Sequence, residues 1–280
     1  SRSLRTNLRP DHVLSTAQML ESGFPEYAGM VTKADIAKRR EEWGADSPMF
    51  QASVLGQFPD SLDDTVVPLS AAMQAVGRES TPEGPVIIAV DVARFGRDKT
   101  VVVRRQGEVA RIIWRTQGRD TMQVTGWIAS YLAETPEVFV VVVDDTGVGG
   151  GVVDRLREVT KRPVRRFNAG EKAFQDERYA NAGSEAWWLM RKWFLETEAD
   201  IENDPALIGQ VSGRQYKIQS DRRIMLESKA KMHNSPDEAD ALAMTFAPIA
   251  QGSALVLAGE RKASVWRDQD ESVGRSNWRE

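Results

Sequence analysis

Val86-Ile87-Ile88-Ala89-Val90-Asp91-Val92 is an almost wholly apolar run interrupted by one acid. A run this short and this rich in β-branched residues reads as a buried strand. Phe95-Gly96-Arg97-Asp98 supplies turn residues behind it, and Thr100 to Arg105 is a second β-branched run. Gln106-Gly107 turns the chain again into Val109 to Trp114. Three strands on tight turns predict an antiparallel meander. Further out, Thr121 to Ala133 has helical spacing, with Met122, Trp127, Ile128 and Leu132 on overlapping faces. Val138 to Val143 is a six-residue apolar strand that runs into Asp144-Asp145. Because it follows a helical crossover and is apolar on both faces, it is expected at the sheet centre, parallel to the first strand. Gly147 to Gly151 then opens a helix through Val152, Val153, Leu156 and Val159, and Val164 to Phe167 fits a fifth strand. A longer helix is expected from Gly183 to Glu198, with Trp187, Trp188 and Trp193 packing into the core. After a β segment at Tyr216 to Ile218, a last helix opens at Ser235 and runs to Phe246.

The ends differ from this middle. Residues 1–62 are expected to form an arm or linker, with one short helix from Thr32 to Trp43 capped by Thr32 and Asp35. Residues 63–250 form the ordered domain, and 251–280 a loose polar tail. The chain starts at Ser1 without methionine, which reads as a processed product or a fragment.

Composition narrows the chemistry. The 280 residues include no cysteine and only His12 and His233. That excludes thiolate nucleophiles, iron–sulfur clusters and Cys-based zinc sites, and leaves a Ser–His–Asp triad without support. Any metal would be held by oxygen, which selects Mg²⁺ or Mn²⁺. No apolar run reaches the ~20 residues of a membrane span, so no membrane partner is expected and the cytoplasm is the default compartment. The net charge of −4 is not that of a strongly basic nucleic-acid binder. The basic residues are clustered, however, at Arg104-Arg105, Lys161-Arg162, Arg165-Arg166, Arg222-Arg223, and Lys229 with Lys231.

The acids carry the functional reading. Asp91 and Asp144 end strands expected to be adjacent and parallel, so their carboxylates meet at one sheet edge. The bland alternative for Asp91 is a turn cap, and for Asp144-Asp145 a cap on the Gly-rich turn. Alternation sends one of that pair to the site, and Asp144, which ends the apolar run directly, is the choice. In Ser235-Pro236-Asp237-Glu238-Ala239-Asp240, Ser235 and Glu238 have capping-box spacing and Pro236 suits the first helical position. Asp237 is at home in a first turn, but Asp240 lies among alanines, Leu242 and Met244. The two are three apart, hence on one helix face. Carboxylates on two strand ends and a helix can hold two divalent ions about 4 Å apart and hydrolyse a phosphodiester. Their mutual repulsion should strain the metal-free state, so Asp240→Asn is expected to lose cleavage while melting no lower than wild type.

The order of elements is that of the RNase H-like fold, a mixed sheet covered by helices on both faces. Ala89-Val90-Asp91-Val92-Ala93-Arg94 with Gly96, Asp98 and Thr100 resembles the first nuclease motif of phage terminase large subunits. Val143 to Gly149 with Asp154-Arg155-Leu156, and Ser235 through Phe246, resemble the others. Ser47-Pro48 through Phe58-Pro59 is similar to the stretch joining motor to nuclease in that family, so the likeness covers about residues 40 to 250. It implies a metal-dependent endonuclease that cuts concatemeric viral DNA in the host cytoplasm during genome packaging. By it Asp91, Asp144 and Asp240 would be catalytic metal ligands, with Asp237 as a fourth or accessory ligand. Double-stranded DNA, the portal, a small terminase subunit and an ATPase domain are the implied partners. Lys229 and Lys231, which precede the last helix, are the first candidates for gripping DNA, with Arg165 and Arg166 behind them. No G-x-x-x-x-G-K-[ST] phosphate loop exists in the chain, so cleavage without translocation is expected. The competing readings are a RuvC-like junction resolvase, an actin-like ATPase domain, for which no internal repeat is visible, and a non-catalytic docking module.

Overall fold

A computed structural model describes residues 32–45, 48–56, 64–93, 99–147, 149–229, 232 and 234–248. The domain is organised by a five-stranded sheet of β1 (Val86–Asp91), β2 (Thr100–Gln106), β3 (Val109–Thr116), β4 (Val138–Asp144) and β5 (Val164–Phe167). The strand order is β3-β2-β1-β4-β5. The meander β1–β2–β3 is antiparallel, whereas β4 pairs parallel to both β1 and β5. This mixed sheet is the RNase H-like arrangement read from the sequence, with β4 at the expected place beside β1.

Alternation along the strands assigns the two faces. Val86, Ile88, Val90, Val141 and Val143 pack with Val124, Ile128 and Leu132 of α4 (Thr121–Glu134) and with Val152, Val153 and Leu156 of α5 (Gly149–Val159). Ile87, Ala89, Val140 and Val142 face the other way. They meet Trp187, Met190 and Trp193 of α6 (Ala182–Glu196), Leu207 and Val211 of α7 (Pro205–Gly213), and Leu242 of α8 (Asp237–Met244). Helices therefore cover both faces. Asp91 shares the parity of Ala89, and Asp144 that of Val142, so both acids end on the α6/α8 face. Trp187 and Trp193 take the core positions expected of them, whereas Trp188 is only half-buried, edge-on to Tyr216.

Asp120 caps α4 with a capping box through Gln123. Near the N-terminus, α1 (Lys33–Trp43) is capped by Thr32 and Asp35 as expected. The stretch after it, read as broken, contains α2 (Pro48–Ser53). Phe50 and Val54 bury with Ile36 in a small cluster, and both helices pack on α7. A short α3 (Leu69–Gln74), α7 and the hairpin partner β7 (Ile224–Leu226) of β6 (Tyr216–Ile218) were not anticipated. The tail from 251 lies outside the described residues.

The expected capping box of the last helix is not formed. α8 begins at Asp237 behind Pro236, without a side-chain cap. Ser235 donates its hydroxyl to Asp237. Glu238 is pulled the other way: it accepts from Arg115 Nε at 3.0 Å and from Gln210 Nε2 at 2.5 Å, and is almost wholly buried.

Candidate active site

The parallel register pairs Val90 with Val143, so Asp91 and Asp144 follow side by side at one sheet edge. The β4–α5 turn brings the helix start against that edge. Gly147 has φ 100°, and a Cβ on Gly149 would stand 1.6 Å from the carbonyl oxygen of Asp144. Only glycine allows this approach, which gives the Gly-rich run a packing role. Asp144 Oδ1 accepts the Thr146 N–H at 2.8 Å, so the acid is also the turn cap that the bland reading foresaw. Asp145 diverges and pairs with Arg166 Nε at 2.8 Å.

α8 lays Asp237 and Asp240 beside this edge. Asp237 is buried and its Oδ2 accepts the Lys99 N–H at 3.0 Å. Together with the Ala93 N–H on the Thr100 hydroxyl at 3.1 Å, this fastens both ends of the β1–β2 connection. Asp240 Oδ1 accepts the Trp187 indole N–H at 2.7 Å, and its Oδ2 meets the ammonium of Lys229. Arg214, also buried, lies over the Trp187 ring with its cation 5.7 Å from the centroid. Burial lowers the Arg214 pKa, against the charges of Asp240 and Glu227.

Electrostatics shows that the four acids share one field. Burial, then repulsion from Asp240, Asp144 and Asp237, pushes the Asp91 carboxyl well above the usual aspartate range, with only Lys229 opposing. Burial works against the charge of Lys229, but Asp240, and beyond it Asp91 and Asp144, hold its ammonium above the ordinary lysine value. The sequence placed Lys229 on DNA phosphate, whereas its contact here is with the acidic cluster. Lys231 lies outside the described residues. Arg165 and Arg166 sit exposed on β5, whose last pair sets Phe167 against Asp144.

Sequence reasoning missed Trp187, Arg214 and the cluster role of Lys229. For Trp187 a signal existed, because a core indole needs an acceptor for its N–H, and Asp240 was the one unexplained acid nearby in the pattern.

Among the described residues no three acidic or histidine side chains form a ready-made metal-ligand set. The donor chemistry nonetheless fits a hard divalent cation: carboxylate oxygens alone, with the charged form of Asp91 disfavoured by burial and by its neighbours' charge. The ammonium of Lys229 pairs with Asp240 in this cluster.

A fold of this kind with acids at this edge defines a class, the RNase H-like domains, and solved structures narrow the likeness. The nuclease domain of the large terminase subunit of bacterial virus Sf6 superposes at a TM-score of 0.58, with 18% identity over 65% of this chain and 98% of that one. A variant of that domain with manganese and beta-thujaplicinol gives 0.59 at the same identity and coverage. The large terminase nuclease from thermophilic phage G20c gives 0.47 at 13% identity, over 65% and 96% of the two chains. The sequence matches no protein-family model and no curated protein. The chain thus has the fold of large-terminase nuclease domains.

Proposed function

We propose that this chain is a divalent-metal-dependent DNA endonuclease, the nuclease part of a viral genome-packaging terminase. The observation that carries the reading is the convergence of Asp91, Asp144, Asp237 and Asp240 at one sheet edge, with the Asp91 carboxyl raised by burial and by the charge of the other three. The fold supports it, as do the calcium and manganese forms of the Sf6 domain.

Asp91, Asp144 and Asp240 would hold Mg²⁺ or Mn²⁺ in a two-ion site, with Asp237 accessory because Lys99 and Ser235 already engage its oxygens. Bound ions would supply Lewis acidity toward the scissile phosphodiester and its attacking water. The chain's own groups orient the ligands: the Trp187 indole fixes Asp240, and the Thr146 amide fixes Asp144. Lys229 must yield Asp240 Oδ2 for loading.

Double-stranded DNA is the proposed substrate, and the portal, a small terminase subunit and an ATPase domain the proposed partners, in the host cytoplasm. Residues 63–250 would be the catalytic unit, with 1–62 directed toward the motor and 251–280 as a tail. No helix among the described residues is long and apolar enough to cross a membrane.

Cleavage of supercoiled plasmid and linear duplex is the test. The expected outcome is Mn²⁺- or Mg²⁺-dependent nicking and linearisation with little sequence preference, abolished in Asp91→Asn. Robust cutting in excess EDTA, or full activity of that variant, would overturn the reading.

A further inference from the structure

Glu185 on the first turn of α6 is fully buried, and among the described residues no cation pairs with it. Its Oε2 accepts the N–H of Phe174 at 2.6 Å and its Oε1 that of Gln175 at 3.1 Å. A carboxylate removed from water is costly unless its oxygens are satisfied, and here both serve one loop tip. The limbs of that loop are fastened as well. Gly183 donates to the Ala169 carbonyl and Ala182 to that of Glu171, each at 2.9 Å. The outcome is a chain that tucks Ala173 in, at 4% exposure, and holds Phe174 out, at 80%. A lone exposed apolar side chain is ordinary. One whose backbone is pinned by a buried carboxylate is not.

The loop has its two ends beside the carboxylate cluster. It leaves β5 where Phe167 pairs with Asp144, and it returns into α6, whose Trp187 holds Asp240. β7 lies along the returning limb, with Ile224 and Ala180 linked at 2.9 Å, and then leads to Lys229 on Asp240. The Asp176 carboxyl, held low first by its hydrogen bond to Lys172, also feels the charge of Arg223, so loop and hairpin are neighbours. The hairpin presents a second exposed apolar residue, Ile218 at 66%. It also presents Lys217 and Arg222, both exposed and, among the described residues, without a carboxylate partner. Arg222 is the one described non-glycine residue at positive φ, 68°, a conformation that surrounding structure must hold in place.

We propose that Phe174 is a DNA-contacting wedge, its ring packing on or between bases of duplex DNA at the catalytic edge while Lys217 and Arg222 engage phosphates. This rests on the nuclease reading above. Duplex DNA is the occupant because the hairpin beside this loop carries two exposed cations and the ends of the loop border the proposed phosphodiester site. Aromatic contact of this kind is tolerant of sequence, since every base has a π-face.

The test is equilibrium binding of the full chain, in EDTA to silence cleavage, to a short duplex containing 2-aminopurine. Wild type should bind and raise the probe's fluorescence by unstacking it. Phe174→Ala should keep the wild-type melting temperature, weaken binding roughly 5- to 150-fold, and lose the fluorescence rise. Phe174→Tyr should retain both, and Phe174→Leu should fall between. Replacing Lys217 and Arg222 with alanine should cut the salt slope by about two. Wild-type affinity and fluorescence in Phe174→Ala would refute the wedge and leave the nuclease reading standing, with the tip then serving a protein partner. Absence of DNA binding by wild type at low salt would overturn both. Should Phe174→Ala not fold, equal behaviour of the Leu and Tyr variants would refute the wedge.

Discussion

Asp91 stands half-buried where β1 ends and faces three other acids, while Asp240 has direct contacts with an indole N–H and the Lys229 ammonium. Burial, and then the charge of Asp240, Asp144 and Asp237, acts against ionisation of Asp91. A carboxyl whose folded pKa is raised contributes stability that is fully present below its unfolded value, about 3.9, and lost as pH rises through the folded value. Asp91→Asn removes that loss. Its metal-free melting temperature should match wild type near pH 4 and exceed it increasingly toward neutrality, with cleavage abolished. A wild-type advantage at neutral pH would show that Asp91 is stabilised by something other than the proton. Asp240→Asn should behave differently, because it leaves the Lys229 ammonium facing an amide. We expect it to melt lower than wild type. Lys229→Ala removes the competing cation, so Mn²⁺ should bind several-fold more tightly, as read by calorimetry, even as the metal-free protein is destabilised. Weaker Mn²⁺ binding in this variant would make Lys229 a part of the loaded site.

At the scale of elements, α8 is held by Glu238, between Asp237 and Asp240. Glu238 joins it to β3 through Arg115 and to α7 through Gln210, while Arg115 also meets Asp204 at 2.8 Å. At its other end, buried Arg105 donates to the Thr245 hydroxyl and carbonyl, each at 2.9 Å, and its guanidinium is drawn down to about 10 by burial, against Glu108. Arg115→Met would leave a buried carboxylate short of its main partner, at a cost of about 3 kcal/mol. Melting should fall by roughly 6–12 °C with activity per folded molecule reduced, because the helix carrying Asp237 and Asp240 loses its register. An unchanged melting temperature would show that Gln210 and Lys99 suffice. The same element shows what a sequence can and cannot disclose. The five sheet strands were legible because each is a run of β-branched residues between turn signals. Asp91 and Asp144 could be placed at one sheet edge because each ends an apolar run on strands expected to pair, although Asp144 also caps the turn after β4. The capping box was misread because spacing cannot tell that Glu238 finds an arginine 123 positions away. Asp204-Pro205 is a capping pair for α7 that could have been read. The Tyr216 to Ile218 segment was read, but its partner β7, three residues long, is too short for periodicity to register.

Across the whole molecule, the site gathers pieces from both ends of the domain: a strand end from the meander, another from the crossover, and a helix some hundred residues later. None of these pieces can hold an ion alone, so metal binding should require, and therefore stabilise, the folded domain. At a free Mn²⁺ concentration of 100 times Kd the gain is about 2.7 kcal/mol by mass action, or roughly 5–11 °C in a domain of this size. An ion held there would compete with the proton on Asp91, whose carboxyl is raised, because ligands must be deprotonated to bind. The stabilisation should therefore be small in acid and grow as pH rises through the Asp91 titration. This is opposite in sign to the metal-free trend, in which the same ionisation costs stability. Melting curves from pH 4 to 8 with and without Mn²⁺ should diverge toward neutral pH, and the divergence should shrink sharply in Asp91→Asn. A metal-induced shift independent of pH, or one retained in that variant, would place the ion elsewhere on the protein.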